Sequence, residues 1–488
     1  MGDWKPKLKS YSHFDEPISS RDAELLATDP KRVSRHTFYP FIRVFQRWNR
    51  FAEKGQVADK KERPIRYAAR ADAYIFSYYR HLLASPYEDE LERLKLSDSV
   101  IAYRRIAKAK GAGGKCNIDH MLDATNRIRA LGDCFVIALD ISSFFENLDH
   151  DRLKTLWCRL LGVSRLPDDH FKVFQAITSY SIVEREEVLE RLGYYGVKRV
   201  SARGVPIKGY LTPAKNIPIQ LCRGAEFREK IAGGSGLPSL IKKHLKNYGV
   251  PQGSPISDLL ANMYLIDFDV EVLERVERLG GTYLRYSDDI LMIVPTDEAS
   301  AIKLELDVRN SINKFGKKLK IKEEKSSIVS FKVDGTRQSC RRIMGAKGGK
   351  GIEYLGFRYD GNAIYLRDST LSNLWRKVAM RARREAIRAA KRYPDKSAVE
   401  IVKLFDIERF ITRFGRVEDF KEKSDDYKHW TFLTYAKRAM KTMGNLGLPI
   451  GRQLRHHRRR IRERVVSEIT SAVERRDRKV SSFGSVKI

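Results

Sequence analysis

Apolar and polar positions change period several times along the chain, and each change marks an element. Residues 1–60 are mixed and charged, with no clear period. Over 63–83 (RPIRYAARADAYIFSYYRHLL) Tyr67, Ala71, Tyr74, Ile75 and Tyr78 recur at helical spacing. That predicts a helix whose aromatic stripe is core packing rather than a platform for bases. FVIALDIS (135–142) is a short apolar run closed by an acid, the pattern of a buried strand, and HDRLKTLWCRLL (150–161) behind it reads as a helix. Residues 162–248 are polar, basic and dotted with glycine. GVPQGSP (249–255) punctuates a turn before an apolar helical segment, DLLANMYLIDFDVEVLERV (258–276). GTYLRYSDDILMIVP (281–295) predicts a β-hairpin with an acidic pair at its centre; a helix (298–316) and a strand (KLKIK, 318–322) follow. GAGGK (111–115) and GAKGGKG (345–351) read as loops, the second without the G-x-x-x-x-G-K-[ST] spacing of a phosphate-binding loop. Residues 370–465 are helical and carry 26 Lys and Arg against 11 Asp and Glu.

Composition narrows the class. A chain of 488 residues implies two or three domains, and 42% apolar residues suffice for sizeable cores. Lys and Arg number 94 against 62 Asp and Glu, a net charge of +32 that makes nucleic acid the leading partner. The five cysteines (Cys116, Cys134, Cys158, Cys222, Cys340) are scattered, which argues against a disulfide scaffold and a cysteine zinc site. The opening MGDWKPKLKS lacks the apolar core of a signal peptide, and the longest apolar runs are strand-sized. The expectation is a soluble, cytoplasmic protein with no membrane partner.

Asp140 and the pair Asp288–Asp289 carry the candidate chemistry. Each acid sits at the end or middle of a strand that its apolar neighbours should bury, an expensive place unless cations meet it. Carboxylates converging from adjacent strands are what two divalent cations require. Mg²⁺ takes hard oxygen ligands and keeps substrate phosphates in its shell. Two such ions, about 3.5–4 Å apart, clamp the attacking and leaving oxygens of a phosphoryl displacement.

The order of these elements resembles the reverse transcriptase family of right-hand polymerases. FVIALDISSFF (135–145) looks like motif A, GVPQGSPISDLLANMYL (249–265) motif B, YSDD (286–289) motif C, KLKIKEEKS (318–326) motif D and YLGF (354–357) the primer-grip motif E. The resemblance implies an α+β right hand: fingers, a palm whose antiparallel sheet carries the acids, and a helical basic thumb. Its divisions are an N-terminal extension (1–60), fingers (61–134), palm with fingers insertions (135–335), a primer-grip region (336–369) and a basic helical thumb (370–488). It further implies that Asp140, Asp288, Asp289 and the Ile141 carbonyl hold two Mg²⁺ ions, with Mn²⁺ as the alternative occupant. Lys325 is then the proton donor to pyrophosphate, and Phe145 the steric gate against a ribose 2′-hydroxyl. Pro251, Gln252 and Gly253 form the turn at the nucleotide, and Arg104, Arg105 and Lys115 the triphosphate grip. Tyr354, Leu355 and Gly356, with an arginine stripe (Arg452, Arg455, Arg458, Arg459, Arg462) read as one helical face, contact nucleic acid.

Within the family, RPIRYAARADAYIFSYY, VIAYRRI (100–106), GKCNID (114–119) and YLGFRYDGNAIYLRDSTLSNLWRK (354–377) look like the bacterial defence-associated reverse transcriptases, the unknown-group and abortive-infection enzymes. The resemblance implies RNA-directed DNA synthesis from dNTPs on an RNA template, with a noncoding RNA, a DNA product and a homo-oligomer or a second defence protein as partners. Three rivals remain at this level: an RNA-directed RNA polymerase, template-independent or protein-primed synthesis on the same site, and a noncatalytic RNA-binding scaffold.

Overall fold

The computed structural model describes residues 4–49, 60–108, 113–201, 204–234, 236–345, 349–415 and 431–484. Parts of both glycine loops (111–112 and 346–348) lie outside these. Among the described residues no helix is long and apolar enough to cross a membrane.

Two short helices, α1 (Ser20–Thr28) and α2 (Pro30–Arg35), precede a hairpin of β1 (Phe41–Asn49) and β2 (Lys60–Tyr67). The stretch without a period therefore holds structure, and the hairpin crosses the 60/61 boundary. The helix expected from residue 63 starts only at Arg70: α3 spans Arg70–Arg93. Residues 63–67 are strand because they pair with Ile42–Gln46, and Arg66 N–H also donates to the Gln252 carbonyl (2.8 Å). Tertiary pairing overrides the local period there. Tyr74 and Ile75 are buried, as core packing requires, and Tyr78 packs edge-on against Trp4.

Next come α4 (Asn117–Leu131), β3 (Cys134–Asp140), a 3₁₀ turn (Phe144–Asn147) and α5 (His150–Leu161). The polar stretch 162–248 holds α6 (Asp168–Thr178), β4 (Ser181–Glu184), α7 (Arg185–Arg191), the exposed hairpin β5 (Tyr195–Val200) and β6 (Pro206–Tyr210), the single turn α8 (Gly224–Glu226) and β7 (Lys242–Lys243). The apolar segment after GVPQGSP is two helices, α9 (Ser257–Tyr264) and α10 (Ile266–Glu277). They part where the Asn262 carbonyl is taken by the Arg285 guanidinium (3.1 Å).

The expected acidic hairpin is β8 (Thr282–Tyr286) and β9 (Asp289–Val294), followed by α11 (Glu298–Ser311), β10 (Ser327–Asp334) and β11 (Arg337–Met344). KLKIK is not a strand. Ile321 makes one isolated bridge to Ile141, and Lys320 accepts from Ser142 N–H (2.9 Å). Past that point the chain of β3 turns away through Ser143 (φ +51), which leaves nothing to pair with. Three short strands, β12 (Ile352–Tyr354), β13 (Phe357–Tyr359) and β14 (Ile364–Leu366), form a meander. The basic region is α12 (Asp368–Arg392), α13 (Ala398–Leu404), α14 (Ile407–Gly415), α15 (Phe432–Met443), α16 (Leu448–Gln453) and α17 (His457–Gly484).

The central sheet runs β11-β10-β3-β9-β8, antiparallel throughout. Its middle strands are buried on both faces, which explains their unbroken apolar runs. Phe135, Ile137 and Leu139 join one core with Ile290, Met292 and Val294. Val136, Leu291 and Ile293 join a second with the β12–β14 meander and α15. α12 packs against α13, α14 and α17 around a third.

Candidate active site

β3 and the β8–β9 hairpin bring the three acids to one end of the central sheet. Asp140 and Asp289 are direct register partners, and the Ile141 N–H donates to the Asp288 carbonyl (3.0 Å). The hairpin turns through Ser287 and Asp288, with Ser287 at φ +60, a left-handed conformation that costs a non-glycine residue about 1–2 kcal/mol.

A buried network beneath the turn holds it there. The fully buried Arg285 forks onto Asp269, 2.6 Å to each oxygen, and Tyr283 donates its hydroxyl to the same carboxylate (2.6 Å). Arg285 also donates to the Asn262 side-chain oxygen, the Asn262 carbonyl and the Ser287 carbonyl, each at 3.1 Å. Saturation of this kind is what keeps a buried ion pair from being a net cost.

The acids repel one another. Burial and the Asp140 carboxylate push the Asp288 carboxyl above the usual carboxylate range, opposed by Arg63 and Lys325. Burial, then Asp288 and Asp140, push Asp289 up to about 7. Lys325, in a 3₁₀ turn (Glu323–Lys325), places its ammonium on Asp140 Oδ1. Among the described residues no three His, Cys, Asp or Glu side chains close a metal shell by themselves. The acids nonetheless fit hard divalent cations: the donors are carboxylate oxygens, partly desolvated and under-compensated. Such ions complete their shells with water and phosphate oxygens.

The cleft beside the acids is lined by Arg63, Asp140, Ile141, Phe145, Gln252, Asp288, Lys322 and Lys325, among others. Phe145 is half-buried on the 3₁₀ turn after β3, its ring against Phe144 and its carbonyl bonded to Val250 N–H (2.8 Å). That bond ties the turn after β3 to the Pro251–Gln252–Gly253 turn. Gly253 sits at φ +115, and a Cβ there would come within 2.7 Å of the Arg66 carbonyl oxygen, so only glycine lets β2 approach. Arg66 closes the triangle with an ion pair to Glu146.

Tyr354 is buried on β12 near Asp289, and the turn into β13 runs through Leu355 (φ +47) and Gly356 (φ +88).

Other expected residues lie elsewhere. Arg104 grips Glu88 through two nitrogens and donates to the Ser97 and Val100 carbonyls (2.6 and 2.5 Å). Its donors are spent on the fold, because the loop after α3 needs its carbonyls capped. Lys115 pairs with Asp123 (2.7 Å) beside α4, and the exposed Arg105 is not among the cleft residues. The arginine stripe is not one helical face. Arg452 belongs to α16, Arg455 to the turn at 454–456, and Arg458, Arg459 and Arg462 to α17. The helix breaks there because Gln453 brackets the Leu366 N–H and carbonyl (2.9 and 3.1 Å) while Leu454 buries its side chain. Arg458 and Arg462 both hold Glu408, and Arg459 reaches Glu463 (3.5 Å).

Sequence reasoning missed Arg63 and Arg285. The second was legible: an arginine inside the apolar strand TYLRY must be buried, and a buried arginine must be paired. Arg63 carried no such signal, because its place in the cleft depends on the β1–β2 pairing.

Residues 233–359 match the reverse transcriptase (RNA-dependent DNA polymerase) family, so the chain carries a reverse transcriptase domain. The match contains Gln252, Asp288, Asp289 and Lys325 and begins after Asp140 and Phe145. No curated protein matches the chain by sequence. Among solved structures, it is similar to apo telomerase from Candida tropicalis truncated from the C-terminal domain, at 11% identity and a TM-score of 0.38, over 70% of this chain and 59% of that one. It is also similar to telomerase from Candida albicans in complex with a fragment of telomeric RNA, at 10% identity and a TM-score of 0.35, over 94% of this chain and 66% of that one. The chain thus spans about three fifths of the first of these.

Proposed function

We propose that the protein is an RNA-directed DNA polymerase that adds dNTPs to a primer by metal-assisted phosphoryl transfer. The observation that carries this reading is the register pairing of Asp140 with Asp289, which sets Asp140 beside Asp288 in the cleft that also holds Phe145 and Gln252. It joins an acid outside the reverse transcriptase match to the acids inside it. In this reading the central sheet is the palm, β1–β2 and the helices around it the fingers, and α12–α17 the thumb.

Each residue has a chemical task. Asp140, Asp288, Asp289 and the Ile141 carbonyl would hold two Mg²⁺ ions, which neutralise the triphosphate and activate the primer hydroxyl when bound. Arg63 meets the triphosphate as it enters along β2. Phe145 lies beneath the sugar, and the Gln252–Gly253 turn packs on the base. Lys325, which pairs with Asp140, would protonate the pyrophosphate as it leaves. Positioning and charge supply the rate, since phosphoryl transfer needs little covalent help.

We further place the enzyme among the bacterial defence-associated reverse transcriptases, acting in the cytoplasm with a noncoding RNA. The segments 63–79, 100–106 and 354–377 support this. Sequencing the nucleic acid that copurifies with wild-type and Asp288→Ala protein tests both claims. DNA complementary to a bound RNA, present only with wild type, supports them. DNA of no templated sequence favours untemplated synthesis, and equal nucleic acid in both samples overturns the polymerase reading.

A further inference from the structure

Two non-glycine residues with left-handed backbones meet beside the catalytic turn: Tyr103 (φ +59) and Ser287 (φ +60). The Tyr103 hydroxyl lies 3.4 Å from Ser287 Oγ, its ring is 6.2 Å from that of Tyr286, and it remains 42% exposed. Asp288, Asp258 and Arg63 surround it electrostatically. Tyr103 thus stands where β2, the start of α9 and the acidic turn converge.

The loop that delivers Tyr103 is built for the purpose. Ile101 N–H donates to the Arg285 carbonyl (3.0 Å), and Arg285 N–H to the Ser99 carbonyl (2.7 Å), so the loop runs as an extra edge beside β8. Asn262 donates to the Ala102 carbonyl (2.6 Å). Arg80, held through two nitrogens by Asp258, donates to the Tyr103 carbonyl (3.1 Å). These bonds fix a strained backbone whose one visible product is an aromatic ring beside the acids. Strain maintained by so many contacts marks a functional position. A large exposed ring pinned at its tip offers a flat apolar face at little entropic cost.

We infer that Tyr103 is a contact residue for the terminal base pair of the primer–template duplex, its exposed face packing against the nucleotide that carries the reacting 3′-hydroxyl. The inference rests on the polymerase reading. That hydroxyl must lie at the Asp140–Asp288 end of the cleft, within a nucleotide's width of Ser287, and stacking on an aromatic face tolerates any base.

The backbone supplies a discriminating variant. At φ +59 glycine is preferred, so Tyr103→Gly relieves strain while removing the ring. We expect Tyr103→Gly to keep its thermal midpoint within a few degrees of wild type. Its Kd for a fluorescent primer–template duplex, and its KM for that duplex, should rise roughly tenfold, the scale of one lost stack. Tyr103→Phe, which keeps the ring, should stay within about twofold of wild type, whereas Tyr103→Leu should fall with the glycine variant. Wild-type affinity in Tyr103→Gly overturns the inference, and so does a defect in Tyr103→Phe as large as in Tyr103→Gly, because the hydroxyl would then be the active part. If wild type itself fails to extend the primer, the polymerase reading fails, a result distinct from either.

Discussion

Asp140 and Asp289 face each other as register partners across β3 and β9, with Asp288 on the adjoining turn. The neighbouring carboxylates raise the proton affinity of Asp288 and Asp289, a repulsion that cations relieve. Lys325 pairs directly with Asp140 and only partly offsets the charge at Asp288 and Asp289.

Asp140→Asn and Asp288→Asn should therefore separate function from stability. Primer extension at matched Mg²⁺ should fall by several orders of magnitude, since each carboxylate holds charge that the substrate phosphates must meet. The thermal midpoint without metal should stay level or rise, because a like charge is gone. Incorporation within tenfold of wild type, in a folded variant, would remove these acids from the mechanism.

The raised Asp289 carboxyl sets a pH dependence whose sign is fixed. Unfolded, this group titrates near the model-peptide aspartate value of about 3.9; folded and metal-free, it titrates at about 7. Between these values the folded state holds a proton that the unfolded state lacks, so this contribution to stability is lost as pH rises through 7. Melting the metal-free protein from pH 4 to 8.5 should show Asp289→Asn gaining on wild type toward alkaline pH, with no gain at pH 4. Adding Mg²⁺ at pH 6 should release protons from wild type, measurable by titration calorimetry in two buffers, and fewer from Asp289→Asn.

Arg63 and Arg104 should part company under substitution. Arg63 lines the cleft and faces Asp288, so Arg63→Ala should raise KM for dNTP ten- to a hundredfold, on the scale of roughly 1.5–3 kcal/mol for a charged hydrogen bond. Arg104→Ala should lower the thermal midpoint and leave KM near wild type, because it strands Glu88 and two loop carbonyls. The opposite pattern would return Arg104 to the triphosphate.

The arginines of α17 test backbone binding. Surface pairs such as Arg458–Glu408 are worth under about 1 kcal/mol and yield readily to phosphates. Arg458→Glu with Arg459→Glu should weaken duplex binding and flatten its log–log salt dependence by roughly 0.7–0.9 per lost phosphate contact. An unchanged slope would make α17 a structural helix.

What the sequence reveals divides along physical lines. β3 and β9 were legible because burial on both faces forces an unbroken apolar run, and the acids stood out against it. The β1–β2 hairpin was not, since Arg63–Tyr67 have a helical period and become strand only through partners about twenty residues earlier. The same long-range dependence hid Arg63 in the cleft and sent Arg104 to Glu88. Tyr103 was invisible for a different reason: a left-handed tyrosine has no sequence signature until Arg80, Asn262 and Arg285 hold it.

In the proposed mechanism Phe145 sets which sugar the site accepts. It follows Asp140 by five positions, after Ser143 has turned the chain, and the 3₁₀ turn fixes it from both sides. Phe144 packs against its ring, and its carbonyl is bonded to Val250 N–H, so the backbone that carries the ring cannot shift without moving the Gln252 turn. A ribonucleotide has to press its 2′-hydroxyl into that ring, and overlap in a close-packed site costs about 1–3 kcal/mol. At roughly 1.4 kcal/mol per tenfold, sterics alone give one or two powers of ten in favour of dNTP. Phe145→Val should therefore raise kcat/KM for rNTP by that factor and change kcat/KM for the matched dNTP much less. A ratio unmoved by the substitution would reduce Phe145 to a packing residue. A wild-type preference for rNTP would instead make the enzyme an RNA polymerase, because the acids that hold the phosphates do not distinguish the two sugars.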